Sequence, residues 1–434
     1  MRIDRWRAHK LSDYALSTFI LKLVDCEGMI HICMKGSPIL TRSFQLISAL
    51  VMFLAPLCIA GQNAQRDFHF GLSGQTSVPL SEQSVIEVLI NGHGPFKVFY
   101  DTGAAVNILN PEVISQLNLP SSNFAGSIHG LNGDPIDAKP FHATELRIGD
   151  LALSDQDFYN VPMPLPKSYG IVGAVGYELF SRLIVKADYE HHQITFFDPA
   201  QFSYSGPGQK LDLQSDPLQL IAKARIDKAT GNFILDTGAL GQVGISFNRW
   251  FVAQQHLQHP FVRHYRGVFM EGADGKAPSS TIERIHPVCL GAFCISHLVG
   301  ELSSGNAESA YAGRIGIEIL RRFTTTLDWQ HHALYVEKSS QWSQPTVYDL
   351  TGLSTDFSDT GTSLVVIAVF RHSPASRAHL KVGDRILLID NHAPAPSLLG
   401  DDPAFLQPVG TRVLLTIQRG NTSLQIPIIL KDIL

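Results

Sequence analysis

The chain contains one short phrase twice, each time at the end of an apolar run: "VFYDTGAAVNILN" at residues 98–110 and "FILDTGALGQVGI" at residues 233–245. An aspartate has a short side chain, so at the end of a buried strand its carboxyl group can adopt few positions. The glycine two residues later lets the backbone turn tightly. A single Asp-Thr-Gly is most simply a turn that bonds its own backbone. Two copies in equivalent surroundings predict a paired site.

The repetition extends beyond the phrase. "VGYELFSRLIVKADYEHHQITFF" at residues 175–197 parallels "IGIEILRRFTTTLDWQHHALYVE" at residues 315–337, so both copies begin and end in register. The segments between are short β-type runs punctuated by Gly, Pro and Asn, which favours an all-β architecture. A repeat of this length predicts two homologous lobes, at residues 68–200 and 208–340.

The bulk composition excludes some classes of function. The chain has 434 residues, 17% of them charged, and a net charge of −5. This length favours two or three domains with real cores, and the balance of charges is neither that of a disordered chain nor that of a nucleic-acid-binding protein. We therefore expect no nucleic acid partner.

Residues 1–60 form an N-terminal extension that ends in the nearly uncharged run "FQLISALVMFLAPLCIA", residues 44–60. This pattern is typical of a signal peptide, with cleavage after Ala60. An uncleaved membrane anchor is the alternative, because 17 apolar residues are at the lower limit of a span. Either interpretation predicts export to the periplasm or the medium. The sequence does not decide whether translation starts at Met1 or at Met34.

Beyond the extension, the remaining cysteines are Cys289 and Cys294 in "VCLGAFCIS". They can face each other across a tight hairpin as a disulfide in an oxidising compartment, or lie as buried free thiols. Without a further cysteine or histidine partner the pair is poor evidence for zinc. The sequence predicts neither a metal nor a cofactor.

The duplicated acid suggests a specific chemistry. Two carboxyl groups about 3 Å apart cannot both ionise, so one acts as a base towards water while the other, protonated, donates to a carbonyl oxygen. Such a pair hydrolyses a peptide bond without a metal or a covalent intermediate. The candidate catalytic residues are Asp101 and Asp236, and the residues that support them are Thr102, Gly103, Thr237 and Gly238, whose hydroxyls and tight turns can fix the two loops relative to each other.

Residues 78–340 resemble the aspartic proteases of the pepsin and retroviral-protease superfamily, with both lobes in one chain. The resemblance implies a mainly β, bilobed fold built from a pair of double-ψ β-barrels. It also implies an apolar-apolar-Gly segment behind each catalytic loop, which Ala174-Val175-Gly176 matches. Arg314-Ile315-Gly316 departs from it, with an arginine at an apolar position.

The same resemblance implies a flap, a hairpin that closes over the substrate. The candidate lies within residues 126–138 and has at its tip His129, Gly130, Leu131, Asn132 and Gly133, with a counterpart at residues 265–276. Ala104 and Ala239 stand where pepsin-like enzymes carry a hydroxyl that favours the charged carboxylate. We therefore expect best activity at mildly rather than strongly acidic pH.

Residues 346–434 have another character, and "SPASRAHLKVGDRILLID" at residues 373–390 resembles a bacterial PDZ domain, a small α+β fold. That family adds an extended C-terminal peptide as a strand and holds its carboxylate on the backbone N–H groups of a glycine-containing loop. The candidate loop is Gly352, Leu353 and Ser354. A packing module with an occluded groove is the alternative.

Together these features predict an exported aspartic endopeptidase whose PDZ domain binds peptide or protein substrates. The alternative is a catalytically silent peptide-binding or adaptor protein that keeps a protease-like cleft. Retention of two mutually repelling carboxylates favours the enzyme, since a silent protein has no electrostatic reason to keep both.

Overall fold

The computed structural model describes residues 68–434 except 124–127, 130–134, 164, 215, 217, 242, 256, 258–264, 268–279, 304–309 and 395–401. The predicted export segment, the flap tip beyond His129 and most of its counterpart therefore lie outside the described residues. We call residues 68–200 the first segment, 208–340 the second and 346–434 the third.

The first segment is built from short strands with two brief α-helices, α1 (Pro111–Gln116) and α2 (Tyr177–Phe180), and 3-10 turns at Lys167–Tyr169 and Pro199–Gln201. Along β3, Ile86, Val88 and Ile90 are buried in alternation with more open residues, as expected of a strand with one face in a core. The strands are β1 (Phe68–His69), β2 (Gln75–Pro79), β3 (Val85–Ile90), β4 (His93–Tyr100), β5 (Asn107–Leu109), β6 (Ile128–His129), β7 (Pro135–Ile136), β8 (Pro140–Ile148), β9 (Leu151–Asn160), β10 (Ile171–Val175), β11 (Ile184–Asp188) and β12 (Gln193–Phe197).

The second segment follows the same plan, with helices α3 (Arg249–Gln254) and α4 (Ile317–Leu320). Its strands are β13 (Gln209–Gln214), β14 (Ile221–Ile226), β15 (Ala229–Leu235), β16 (Ile245–Asn248), β17 (Tyr265–Gly267), β18 (Ser280–Arg284), β19 (Val288–Leu290), β20 (Phe293–Ile295), β21 (Val299–Ser303), β22 (Gly313–Ile315), β23 (Phe323–Asp328) and β24 (Ala333–Lys338).

The third segment is an antiparallel five-stranded sheet with strand order β25-β26-β27-β28-β29. Its elements are β25 (Leu353–Phe357), β26 (Leu364–Val369), α5 (Pro374–Arg377), β27 (Arg385–Ile389), a 3-10 turn (Pro403–Leu406), β28 (Arg412–Arg419) and β29 (Thr422–Ile429). Helix α5 begins where the Ser373 hydroxyl accepts from the Ser376 N–H, with proline at its first position. Strands dominate all three segments, so the predicted mainly β class is confirmed.

The first two segments share one scheme of strand pairing. In the first, β10 runs parallel to β4 and antiparallel to β5, while β5 runs parallel to β9. In the second, β22 runs parallel to β15 and antiparallel to β16, while β16 runs parallel to β21. The pairing brings the ends of β4 and β15 to equivalent places, and an Asp-Thr-Gly follows each end.

The two segments also share a sheet. Strand β11 of the first pairs antiparallel with β23 of the second, from Ile184 opposite Asp328 to Asp188 opposite Thr324. The outer neighbours of these strands are β12 and β24, which follow them in hairpins. The joint therefore has ladder hydrogen bonds as well as side-chain packing.

A similar ion pair occurs in both segments, at the short helix that follows Gly176 or Gly316. Glu178 of α2 pairs with Arg182, two residues beyond the helix, at 2.5 Å, and Glu318 of α4 pairs with Arg322, two residues beyond that helix, at 2.7 Å. The second pair is the more deeply buried, with 3% and 6% of the side chains exposed. Arg322 also donates to the Gln344 carbonyl, so the turn after α4 holds the chain that leads to the third segment.

The third segment packs directly on the other two. Arg284 of β18 donates to the Asp432 carboxylate at 2.8 Å and to the Tyr348 hydroxyl at 2.6 Å. Tyr169 of the first segment meets Phe357 edge to face, with ring centroids 5.8 Å apart. Within the described residues, no helix is long and apolar enough to span a membrane.

Candidate active site

Asp101 and Asp236 begin equivalent loops at the ends of β4 and β15. The Asp101 N–H donates to the Val175 carbonyl and the Asp236 N–H to the Ile315 carbonyl, both at 2.9 Å. Each acid is thus fixed by the strand that runs parallel to its own, β10 or β22. This placement explains why an apolar run must precede each acid, since both strands lie in the core.

Thr102 and Thr237 hold the two loops together through four reciprocal hydrogen bonds. Each hydroxyl accepts from the other threonine's backbone N–H at 3.0 Å. The Thr102 hydroxyl donates to the Leu235 carbonyl at 2.8 Å, and the Thr237 hydroxyl donates to the Tyr100 carbonyl at 2.6 Å. Both threonines are buried, so these bonds are shielded from water.

The two glycines bring the carboxyl groups face to face. A Cβ on Gly103 would lie 2.4 Å from Asp236 Cγ, and a Cβ on Gly238 would lie 2.4 Å from Asp101 Cγ. No side chain fits at either place, because real Cβ contacts are never this short. Each glycine is therefore required by the carboxyl group of the opposite loop, while neither has the positive φ at which a turn itself demands glycine.

The two carboxyl groups receive different sets of donors. Asp101 Oδ1 accepts from the Gly103 N–H at 2.8 Å. Asp236 Oδ1 accepts from the Gly238 and Ala239 N–H groups, each at 2.9 Å, and its Oδ2 accepts from Arg314 Nη1 at 2.6 Å. The Asp236 carboxyl group thus accepts from two backbone N–H groups and a charged guanidinium, and the Asp101 carboxyl group from one backbone N–H.

The pKa of Asp101 is raised from 3.8 to about 8. Desolvation is the largest cause and the Asp236 carboxylate adds to it, while the Gly103 N–H and the Arg314 charge act in the opposite direction. Because the side chain keeps part of its surface open to solvent, the raised pKa belongs to a group that a substrate could reach. Burial and the neighbouring carboxylate thus both favour the protonated form of Asp101.

Arg314 is the contact that the sequence did not reveal. It was recognised there only as a departure from an apolar pattern, yet its side chain reaches across to Asp236 with 20% of its surface exposed. The repeat contained the signal, because it aligns Arg314 with an alanine. Arg314 lies opposite Ile234 in β15, and Ala174, at the same place in the first segment, lies opposite Phe99 in β4.

The other predicted residues lie apart from the pair. His129 lies opposite Pro135 in the antiparallel pair β6–β7, which is the start of a hairpin, while the rest of the proposed tip lies outside the described residues. Cys289 and Cys294 are joined by a disulfide across the β19–β20 hairpin. Among the described residues no group of three or more potential ligands could hold a metal ion.

The predicted carboxylate loop of the third segment already surrounds a carboxylate of its own. Buried Asp349 accepts from the Thr351 N–H at 2.6 Å and the Gly352 N–H at 2.9 Å. The Leu353 N–H donates to the Thr351 hydroxyl at 3.1 Å, and Ser354 of β25 lies opposite Ala368 of β26. Desolvation raises the pKa of Asp349 to about 6, although these bonds oppose the rise. The sequence analysis did not identify Asp349 as a residue of this loop. The available signal was its position two residues before the Thr351 N–H, because Asp side chains in turns commonly accept from the backbone at that spacing.

The comparison with known families agrees with the geometry. A family model described as an aspartyl protease matches residues 86–177, which include Asp101 and the strand behind it. A search of curated proteins finds no match. The aspartyl protease family is thus matched in the first segment, around one of the two acids.

Proposed function

We propose that the chain is an aspartic endopeptidase in which Asp101 and Asp236 form one catalytic pair between two lobes. The observation that carries the proposal is that two equivalent loops, tied by reciprocal threonine bonds, direct their carboxyl groups at each other. A structural turn needs one Asp-Thr-Gly and gains nothing from a second carboxyl group close by, because like charges in a buried site repel.

The chemistry follows from the different donors. The ionised carboxylate of Asp236 removes a proton from a water molecule as the water oxygen bonds to the scissile carbonyl carbon. Asp101 gives its proton to the carbonyl oxygen, and the product is a neutral gem-diol. As the C–N bond breaks, Asp236 gives the proton it took from water to the leaving amine nitrogen, and Asp101 takes a proton from one gem-diol hydroxyl as the carboxyl product forms. The pair therefore ends the cycle with one proton, as it began.

The ion pair to Arg314 favours a second candidate, a silent peptide-binding protein with the same cleft. A carboxylate that is permanently neutralised by a guanidinium is a weaker base. In this case the cleft would bind extended peptides without cleaving them.

One experiment separates the two candidates. The full chain and its Asp101→Asn and Asp236→Asn variants are incubated with a mixed peptide library, with and without a pepstatin-like inhibitor, and the products are read by mass spectrometry. Each Asn keeps the shape of the acid and removes its charge, and a circular dichroism spectrum equal to that of the native chain is the control for an unchanged fold. Cleavage by the native chain that both substitutions abolish supports the enzyme, whereas cleavage that survives either one overturns the catalytic pair. Peptide retention without cleavage supports the silent protein.

We propose further that the third segment is a PDZ-like module that presents substrates by strand addition to β25. Among the described strands β25 pairs only with β26, so its other edge can accept a strand. A ligand carboxylate would have to replace Asp349 on the Thr351 and Gly352 N–H groups. Tighter binding of a peptide with a free C-terminus than of its amidated form supports carboxylate capture, equal binding indicates strand addition alone, and no binding contradicts the module.

Export is also part of the proposal. The apolar run at residues 44–60 and the disulfide between Cys289 and Cys294 both suit a chain that leaves the cytoplasm. Fractionation of the producing cells, with alkylation of free thiols before and after reduction, tests it: both cysteines should be protected until the disulfide is reduced.

A further inference from the structure

We infer that Arg314 is a positioning residue that assigns the roles in the pair: it holds Asp236 as the ionised base and leaves the shared proton on Asp101. The inference rests on the proposed function and deepens it, because it names which acid does what. It starts from a difference between two strands that are otherwise equivalent.

Strands β10 and β22 pass behind the two catalytic loops in the same register. Val175 and Ile315 each accept from the N–H of the acid, and one residue earlier stand Ala174 and Arg314. Ala174 is 1% exposed and has no polar side-chain atom. Arg314 reaches Asp236 Oδ2 at 2.6 Å. The two loops are alike in backbone, so this one position breaks the symmetry of the pair.

The acceptor sites of Asp236 show how Arg314 acts on the shared proton. A carboxylate oxygen has about two acceptor sites. Oδ1 uses both for the Gly238 and Ala239 N–H groups, whereas Oδ2 uses one for Arg314 and has one left for the hydrogen bond that the two carboxyl groups share. Arg314 is thus bonded to the oxygen that is left to accept from Asp101. A guanidinium has no acceptor and stays charged, so it cannot take the proton itself.

Few other charged groups act on the pair. Within the described residues, the groups that face it are Arg314 and the buried Tyr100, whose pKa is raised well above its ordinary value by burial and which is neutral at working pH. Glu318 on the neighbouring α4 is paired with Arg321 and Arg322. Among the described residues, removal of Arg314 therefore removes the positive charge that acts on the pair.

The first test is the pH dependence of cleavage by the full chain and by Arg314→Met and Arg314→Lys. An opposite charge beside a carboxyl group typically shifts its titration by ~1–3 pH units. We expect the acid limb of the kcat/KM profile to move upward by about that amount in the Met variant, and by less in the Lys variant, which keeps a charge. Loss of activity with unmoved limbs, or equal profiles for Met and Lys, would overturn the assignment and leave Arg314 a structural role.

The second test does not depend on cleavage. Carbon-13 NMR of the Asp carboxyl carbons, assigned with the Asp101→Asn and Asp236→Asn variants, reports the protonation state of each acid in the native chain at pH 6. The expected result is an ionised Asp236 and a protonated Asp101, with Asp236 gaining proton occupancy in Arg314→Met. The reverse assignment overturns the inference. If the native chain cleaves nothing while the NMR result holds, the proposed function fails and the role of Arg314 stands.

Discussion

Replacement of Thr237 by valine tests how the two loops are joined. Valine keeps the shape and removes the hydroxyl, so the Tyr100 carbonyl loses a donor at 2.6 Å and the Thr102 N–H loses an acceptor at 3.0 Å. Each buried group left without its partner costs ~1–3 kcal/mol. The expected loss of unfolding free energy is thus about 2–6 kcal/mol, a large part of the ~5–15 kcal/mol by which a typical protein is stable.

The matched control is Thr237→Ser, which keeps the hydroxyl and loses one methyl group, worth ~1 kcal/mol. Urea unfolding followed by fluorescence gives the midpoint and slope for both variants. We expect the valine variant to unfold at clearly lower urea at an unchanged slope, and the serine variant to remain close to the native chain. Equal midpoints for valine and serine would refute the argument, since they would mean that the hydroxyl bonds contribute nothing net.

The bonds are reciprocal, which makes a second measurement possible. Thr102→Val removes the corresponding pair of bonds, to the Leu235 carbonyl and from the Thr237 N–H. Residues within one network usually couple by ~0.5–3 kcal/mol. Strictly additive losses in the double variant would show that the two threonines act independently.

Three further outcomes are expected. The folded state raises the pKa of Asp101 from 3.8 to about 8 and so favours its protonated form; thermal melts of the native chain should therefore lose stability relative to Asp101→Asn as pH rises through that window. Arg322→Met breaks a buried ion pair and should cost ~3–5 kcal/mol in urea unfolding, against clearly less for Arg182→Met, whose pair is more exposed; equal losses would contradict the burial argument. Gly103→Ala places a methyl group 2.4 Å from the opposite carboxyl carbon and should abolish cleavage, whereas Gly71→Ala, with its nearest contact at 3.5 Å, should leave it unchanged.

The sequence was most informative where a turn or a strand end favours one particular residue type. Asp-Thr-Gly at the end of an apolar run predicted the position of both acids, and the repeat predicted that their loops are equivalent. The threonine hydroxyls were expected to bond across the joint, and the structure has them do so. These features could be predicted because the backbone dictates them, through turns and strand ends.

Long side chains were less predictable. Arg314 has four side-chain torsions, and nothing in its neighbours along the chain shows whether it points to solvent or to the Asp236 carboxylate. Asp349 presents the opposite difficulty, since a loop with free N–H groups was expected from residues 352–354 while an acid earlier in the same turn already accepts from them. In both cases a charged residue outside the predicted motif contacts it: Arg314 bonds to the Asp236 carboxylate, and Asp349 accepts from the N–H groups of the predicted loop.

The difference between Ala174 and Arg314 bears on why a single chain is useful. An enzyme assembled from two identical subunits must place the same residue on both sides of its axis. Two guanidinium groups would then bind both carboxylates, and no proton would remain to be donated to the substrate. Covalent union of the halves removes that constraint, because each copy of the repeat can vary alone. In one chain the two copies of the repeat can therefore differ at a single position beside the paired acids, as Ala174 and Arg314 do.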